Sequence, residues 1–432
     1  MRDKVCIAKD FVVPADFEST GVNLNELIVG STGCGKCMSN VYSRLVHTFD
    51  SSVVVTLSKK EVREKFSDMF KQRGYDVVHI DFVKPENSTA SFDPLEYVET
   101  YADILALARR MVDSAERKNS TADPYWSEAG VSFVAAEIAL VKKNEQYTGK
   151  KASLADVIAF NDYMERKSSK NGEANLGRFF DYADEIFPGN AATKLWRSVA
   201  AVPEGTFACL TSVANVALDK FATDSICRMM KMNKKMDFRQ LGKKKTALFI
   251  TTSPFDMNSQ NLINLMYSGI IGELFALSQE SENNRLDVPV HLVFDDFACG
   301  SRIFDFEKYI SIFRAAGISV SLLLQSESQL KAMYGDASAA TIINNCDTYV
   351  YMGGMDTDTV NHVSKLVNMP MGELMGMEPG KVVVLRRGVK PFQTYRYQVL
   401  DDPLYRKVMK LDNKDEMTLE EKSIEEEMAC EK

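Results

Sequence analysis

The feature that most constrains this chain is the octet Gly30-Ser31-Thr32-Gly33-Cys34-Gly35-Lys36-Cys37, set between an apolar run at 26–30 and a helix-patterned stretch at 36–49. The spacing G-x-x-x-x-G-K between a strand and a helix makes a phosphate-holding loop. Its glycines let backbone amides converge on phosphate oxygens, its lysine reaches the terminal phosphates, and the helix start adds its dipole. Such a loop works only on an α/β scaffold. Further β-branched runs at 52–57 and 75–82 enclose a charged helical segment, and this alternation implies a parallel sheet with crossover helices. The expected ligand is ATP.

Position 37 departs from the usual pattern. A Ser or Thr after Gly-Lys lends its hydroxyl to Mg²⁺, whereas Cys37 offers sulfur, a poor partner for a hard cation and a better one for a softer ion such as Mn²⁺. Cys34 and Cys37 also form a C-x-x-C pair. Zinc needs four ligands, and no second pair accompanies it among eight cysteines and four histidines. Oxidation of the pair would switch the loop off.

From 98 to 242 the texture changes to long stretches with apolar residues at helical spacing (101–112, 128–143, 154–163), punctuated by loops such as 167–172. The strand pattern resumes at 246–252, 290–294, 318–325, 348–352 and 381–386, with a short run at 394–399. We therefore expect a nucleotide-binding α/β domain formed by 1–97 and 243–410. An all-α insertion is expected at 98–242 and an acid-rich solvated tail at 411–432. The 21 methionines read as core filler.

The net charge of −8 argues against a broadly basic, nucleic-acid-binding surface, so any DNA contact must be local. The start of the chain lacks the apolar run of a signal peptide, and no segment has the length of a membrane span. Scattered cysteines without a secretory signal point to a reducing, cytoplasmic setting.

Two further strand ends carry chemistry. VHLVFDD at 290–296 is an apolar strand closing in two acids. Asp295 is placed to hold the metal shell, and Asp296 stands where a longer glutamate usually orients the attacking water. The run at 318–325 ends in Gln325, either a γ-phosphate sensor or a strand cap. Arg314 precedes it, either a surface residue or an arginine finger for a neighbouring subunit.

Together with FDPLEY (92–97), DPYW (123–126), FDDFA (294–298), the run from Arg314 through LLLQSESQLKAMYG (to 335) and NCD…GG (345–354), these motifs resemble the TraG/TraD-type coupling proteins of type IV secretion and conjugation. The likeness is strongest to short Gram-positive mobile-element forms without a membrane segment, and it covers about residues 5 to 405. It implies a RecA-like P-loop ATPase core with an all-α domain, assembled as a homo-oligomer, usually a hexamer. The ring would receive single-stranded DNA bound to a relaxase and pass it to a secretion channel or membrane partner at the cytoplasmic face. By the same likeness Lys36 would hold the phosphates and Asp295 the metal. Asp296 would take the catalytic carboxylate's place, Gln325 the sensor's and Arg314 the finger's. LSKKE at 57–61, where the family has D-P-K-G-E, Cys37 and Asp296 leave open a nucleotide-binding receptor or assembly subunit that hydrolyses weakly or not at all. A chromosomal DNA translocase sharing the core fits the DPYW and QSESQL motifs less well.

Overall fold

The computed structural model describes residues 2–57, 59–115, 123–171, 177–253, 257–295, 297 and 302–411. The acid-rich tail expected at 411–432 falls outside them apart from Leu411. Two compact units emerge, one drawn from 1–79, 237–252 and 270–432, the other from 80–236 and 253–269.

The first unit is built on a nine-stranded sheet. Its strands are β3 (Glu26–Val29), β4 (Ser52–Thr56), β5 (Asp76–Asp81), β6 (Thr246–Thr251), β7 (Val290–Phe294), β8 (Ile318–Leu324), β9 (Thr348–Tyr351), β10 (Lys381–Arg386) and β11 (Val389–Tyr395), and they lie in the order β11-β10-β9-β3-β8-β7-β4-β6-β5. Pairing is parallel from β9 across to β6 and antiparallel among β9, β10 and β11. Strands β3 and β7 are buried along their whole length, which is why they read in the sequence as largely apolar runs. A separate antiparallel hairpin, β1 (Lys4–Ala8) and β2 (Phe11–Pro14), precedes the sheet.

Strand β11 begins five residues before the run expected at 394–399. It is an exposed edge strand containing Pro391, so it shows no apolar alternation to read. The segment after the phosphate loop also differs from a plain helix. It opens as a π-helical stretch, Cys37–Tyr42, before one α turn, Ser43–Val46. There the hydroxyls of Ser39 and Ser43 donate to the carbonyls of Gly35 and Ser39, back-bonding of the kind that bends helices.

The second unit is helical, with helices Tyr101–Ala115, Pro124–Thr148, Leu154–Asn171, Gly177–Ile186, Ala191–Ala200, Glu204–Asp219 and Asp224–Lys231. Its core centres on Trp196, which stacks on Phe180 at 4.4 Å and meets Phe133 and Phe207 edge-on at 6.0 and 5.7 Å. The DPYW motif is a helix start. Asp123 caps it by accepting from the Tyr125 amide, and Pro124 occupies the first turn. The loop expected at 167–172 is helical through Asn171, because nothing before Gly172 forbids helix there.

Candidate nucleotide site

The parallel register brings the phosphate loop, Asp295 and Gln325 to one sheet edge. Val29 pairs with Leu324, and Phe294 with Leu322, so Gly30, Gln325 and Asp295 all leave the sheet at its carboxyl end. Ligands of α/β sheets bind at this edge, where the strand order reverses. Strand β7 is not the immediate neighbour of β3, since β8 lies between them. Even so, the Cys37 thiol donates to Asp295 Oδ2 at 2.8 Å.

The loop is held from several sides. The Gly30 amide donates to Leu324 O at 3.1 Å and the Ser31 amide to Gly353 O at 3.0 Å. Gly33 and Gly35 take φ of +75° and +88°, a left-handed backbone that glycine adopts without a Cβ penalty. Ser31, Thr32 and Gly33 are exposed, while Cys34, Gly35 and Cys37 are half-buried. Lys36 is buried, and its ammonium bonds Gly30 O at 2.7 Å and Ser31 O at 3.2 Å. Burial pushes the Cys34 thiol above its ordinary pKa, opposed by Lys36.

Sequence reasoning missed Arg396. Its guanidinium donates to Cys34 O at 2.7 Å and fills the space a side chain at Gly35 would need. It follows β11 and is far from the loop in sequence, so no local pattern marks it.

Of the other expected residues, Gln325 is half-buried and accepts from Gln329 Nε2 at 3.4 Å. Ser326 caps the helix Glu327–Tyr334 directly after it. Asp296 lies outside the described residues. Arg314 sits at the opposite sheet edge, ahead of β8, exposed and with its guanidinium 4.3 Å from the Phe17 ring. A seven-residue strand separates it from the loop edge, ~20 Å of chain, so it does not reach the loop of its own subunit.

Below the loop, Glu26 and Arg44 pair at 2.6 Å, joining the loop's strand to its helix. Ser321 Oγ also donates to Glu26, and fully buried His291 bridges Ser319 and Ser321. Burial, with Arg44 near, keeps His291 neutral. This network stiffens the edge remote from the nucleotide.

The NCD…GG motif is also scaffold. Asp347 Oδ2 accepts from the Asn23 amide, Asn345 O accepts from the Asn23 and Asn25 side chains, and Gly353 supplies the carbonyl that holds Ser31.

For a divalent cation, the donors at this edge are Asp295 and Cys37. Asp295 fits magnesium; the Cys37 sulfur does not. Among the described residues no group of three or more His, Cys, Asp or Glu side chains is placed to hold a metal ion.

This geometry defines a RecA-like P-loop nucleotide-binding fold carrying a helical unit. A family model described as type IV secretory system conjugative DNA transfer matches residues 7–369, and the chain belongs to that family. VirD4 of Agrobacterium fabrum is 21% identical over 356 residues, covering 81% of this chain and 50% of VirD4, so the chain spans about half the length of that relative. Among solved structures, the plasmid coupling protein TrwB in complex with a non-hydrolysable ATP analogue superposes with a TM-score of 0.67 at 17% identity, over 92% of this chain and 89% of TrwB. TrwB with ADP and Mg²⁺ gives 0.64 at 16%, over 86% and 85%. VirB4 of Thermoanaerobacter pseudethanolicus gives 0.53 at 13%, over 91% and 96%. At these identities the structures establish the shared fold. Among the described residues no helix is long and apolar enough to cross a membrane.

Proposed function

We propose that this chain is the motor core of a coupling protein, binding ATP in the Gly30–Cys37 loop and using its turnover to move a relaxase-linked single DNA strand to a type IV secretion channel. The observation that carries this reading is the convergence of Lys36, Cys37 and Asp295 at the carboxyl edge of the parallel strands of one sheet.

In this reading Lys36 exchanges Gly30 O and Ser31 O for the β- and γ-phosphates, and the loop amides cradle the remaining oxygens. Arg396 fixes the loop's shape through Cys34 O. A divalent cation, magnesium in the ADP complex of TrwB, would be held through Asp295 and would neutralise phosphate charge. Gln325 faces the terminal phosphate and Asp296 stands next to the metal residue. Arg314 serves a neighbouring subunit's nucleotide, which requires a ring of copies, by family a hexamer. A partner protein would bring the ring to the cytoplasmic face of the membrane.

A second reading is favoured by the Cys37–Asp295 contact: a nucleotide-binding receptor for substrate that does not hydrolyse. ATP turnover with and without single-stranded DNA separates the two. The motor reading expects DNA-stimulated turnover that Lys36→Ala abolishes, with larger assemblies on DNA by size-exclusion chromatography. Nucleotide binding with no turnover under any condition would replace the motor with the receptor.

A further inference from the structure

We propose that Cys37 and Asp295 form a thiolate–carboxylate site for a thiophilic divalent cation of the zinc and cadmium class, completed by the phosphates of the bound nucleotide. This deepens the nucleotide reading above and rests on it for the last ligands.

The pair is on the page as a contact. Cys37 Sγ lies 2.8 Å from Asp295 Oδ2, and both side chains are half-buried at the nucleotide edge. Zinc binds thiolate at about 2.3 Å and carboxylate oxygen at about 2.0–2.2 Å. A tetrahedral angle between such bonds sets sulfur and oxygen about 3.5 Å apart, so the pair need open by less than about 1 Å. On binding, the Cys37 thiol proton leaves for solvent and the sulfur keeps the electron pair as thiolate.

Magnesium gains nothing from that sulfur and must rely on Asp295, phosphate and water. A borderline-soft ion gains a strong ligand, because thiolate sulfur selects zinc-class ions over hard magnesium. Two protein donors do not close a tetrahedral shell, and no third metal-ligating side chain joins them among the described residues. Phosphate oxygens at the end of the loop are the natural remaining ligands. Cation and nucleotide must then strengthen each other's binding by the same factor.

The test uses the full chain and Cd²⁺ as probe, read by the ultraviolet charge-transfer band of a cadmium–thiolate bond. The expected result is a band that Cys37→Ser removes, Asp295→Asn weakens and Cys34→Ser leaves in place. Adding ATP should tighten Cd²⁺ by about tenfold or more, within the ordinary range for two coupled ligands. In a fluorescent-ATP titration, Cd²⁺ or Zn²⁺ should raise wild-type affinity more than Mg²⁺ does, and Cys37→Thr should reverse that order. A band retained in Cys37→Ser, a band lost in Cys34→Ser, or a wild type that prefers Mg²⁺ would overturn the proposal. Failure of the nucleotide reading shows separately. The Cys37-dependent band would then form with Cd²⁺ alone, while no ATP binds with any cation or with EDTA.

Discussion

At the residue scale the loop's shape depends on Gly35 and Arg396 acting together. Gly35 sits at φ +88°, and a Cβ there would lie 1.9 Å from Arg396 Nη1. Gly35→Ala therefore meets both backbone strain and a guanidinium that must move. It should abolish nucleotide binding, read by fluorescent-ATP titration, while far-UV circular dichroism stays unchanged. Arg396→Ala removes one charge-assisted hydrogen bond to Cys34 O and should weaken ATP by about tenfold. The double variant should bind better than Gly35→Ala alone, because the clash is gone and only the strain remains. A double variant no better than Gly35→Ala would show that the positive φ, not the arginine, governs the position. The sequence announced Gly35 through its motif and gave no hint of Arg396, 362 residues from the carbonyl it holds. Motifs report what the local chain must do, and a clamp brought in by an antiparallel edge strand leaves no such trace.

At the element scale the helix Pro124–Thr148 carries an unusual buried carboxyl. Glu137 is fully buried, and neither carboxylate oxygen has a hydrogen-bond partner. Burial raises its pKa well above the ordinary 4.5, so the fold keeps the carboxyl neutral to higher pH than the unfolded chain does. The sign follows from linkage. The unfolded chain ionises around 4.5 and the folded one only at higher pH, so stability is greatest below 4.5 and falls as pH rises above it. Glu137→Met should raise stability at pH 7 by roughly 1–3 kcal/mol and flatten this slope, read from urea midpoints across pH 5 to 8. A variant less stable than wild type at pH 7 would mean the carboxyl has a use in the bundle. The helix itself was legible, because its apolar spacing and the Asp123-Pro124 start are local signals. The burial of Glu137 was not, since a lone acid in an apolar stretch reads as the exposed side. The strands told the same story. Doubly buried β3, β7 and β8 stand out as apolar runs, whereas the β1–β2 hairpin and edge strand β11 take their pairing from partners that no local pattern names.

At the scale of the whole nucleotide-binding unit, residues from both ends of the chain close on the loop's own helix. The Lys4 amide donates to His47 O at 3.2 Å, and Tyr405 stacks on Tyr42 at 6.1 Å. Asp402, capping the helix Pro403–Met409, pairs with His47 Nε2 at 2.7 Å and accepts from Tyr397 OH at 2.7 Å. Burial alone would lower the His47 pKa, but Asp402 and the Cys6 thiol outweigh it and hold the pKa at about 9 against an ordinary 6.5. Burial likewise raises Asp402, yet its bonds to His47 and Tyr397 and to the Leu404 amide bring it to about 2 against 3.8. These are two views of one interaction. Its histidine side is fully present below pH 6.5 and is lost as pH rises through about 9. Its aspartate side is present above 3.8 and is lost as pH falls through about 2. The contact should therefore hold the chain's ends to the loop helix most firmly between pH 3.8 and 6.5. His47→Gln should cost about 3 kcal/mol at pH 6, because it leaves a buried carboxylate short of its charge partner, and nearer zero at pH 9.5. Urea midpoints of both proteins over that range decide it. The wild-type curve should fall toward the variant's as pH climbs, and curves that stay parallel would remove this pair as the source of the alkaline loss.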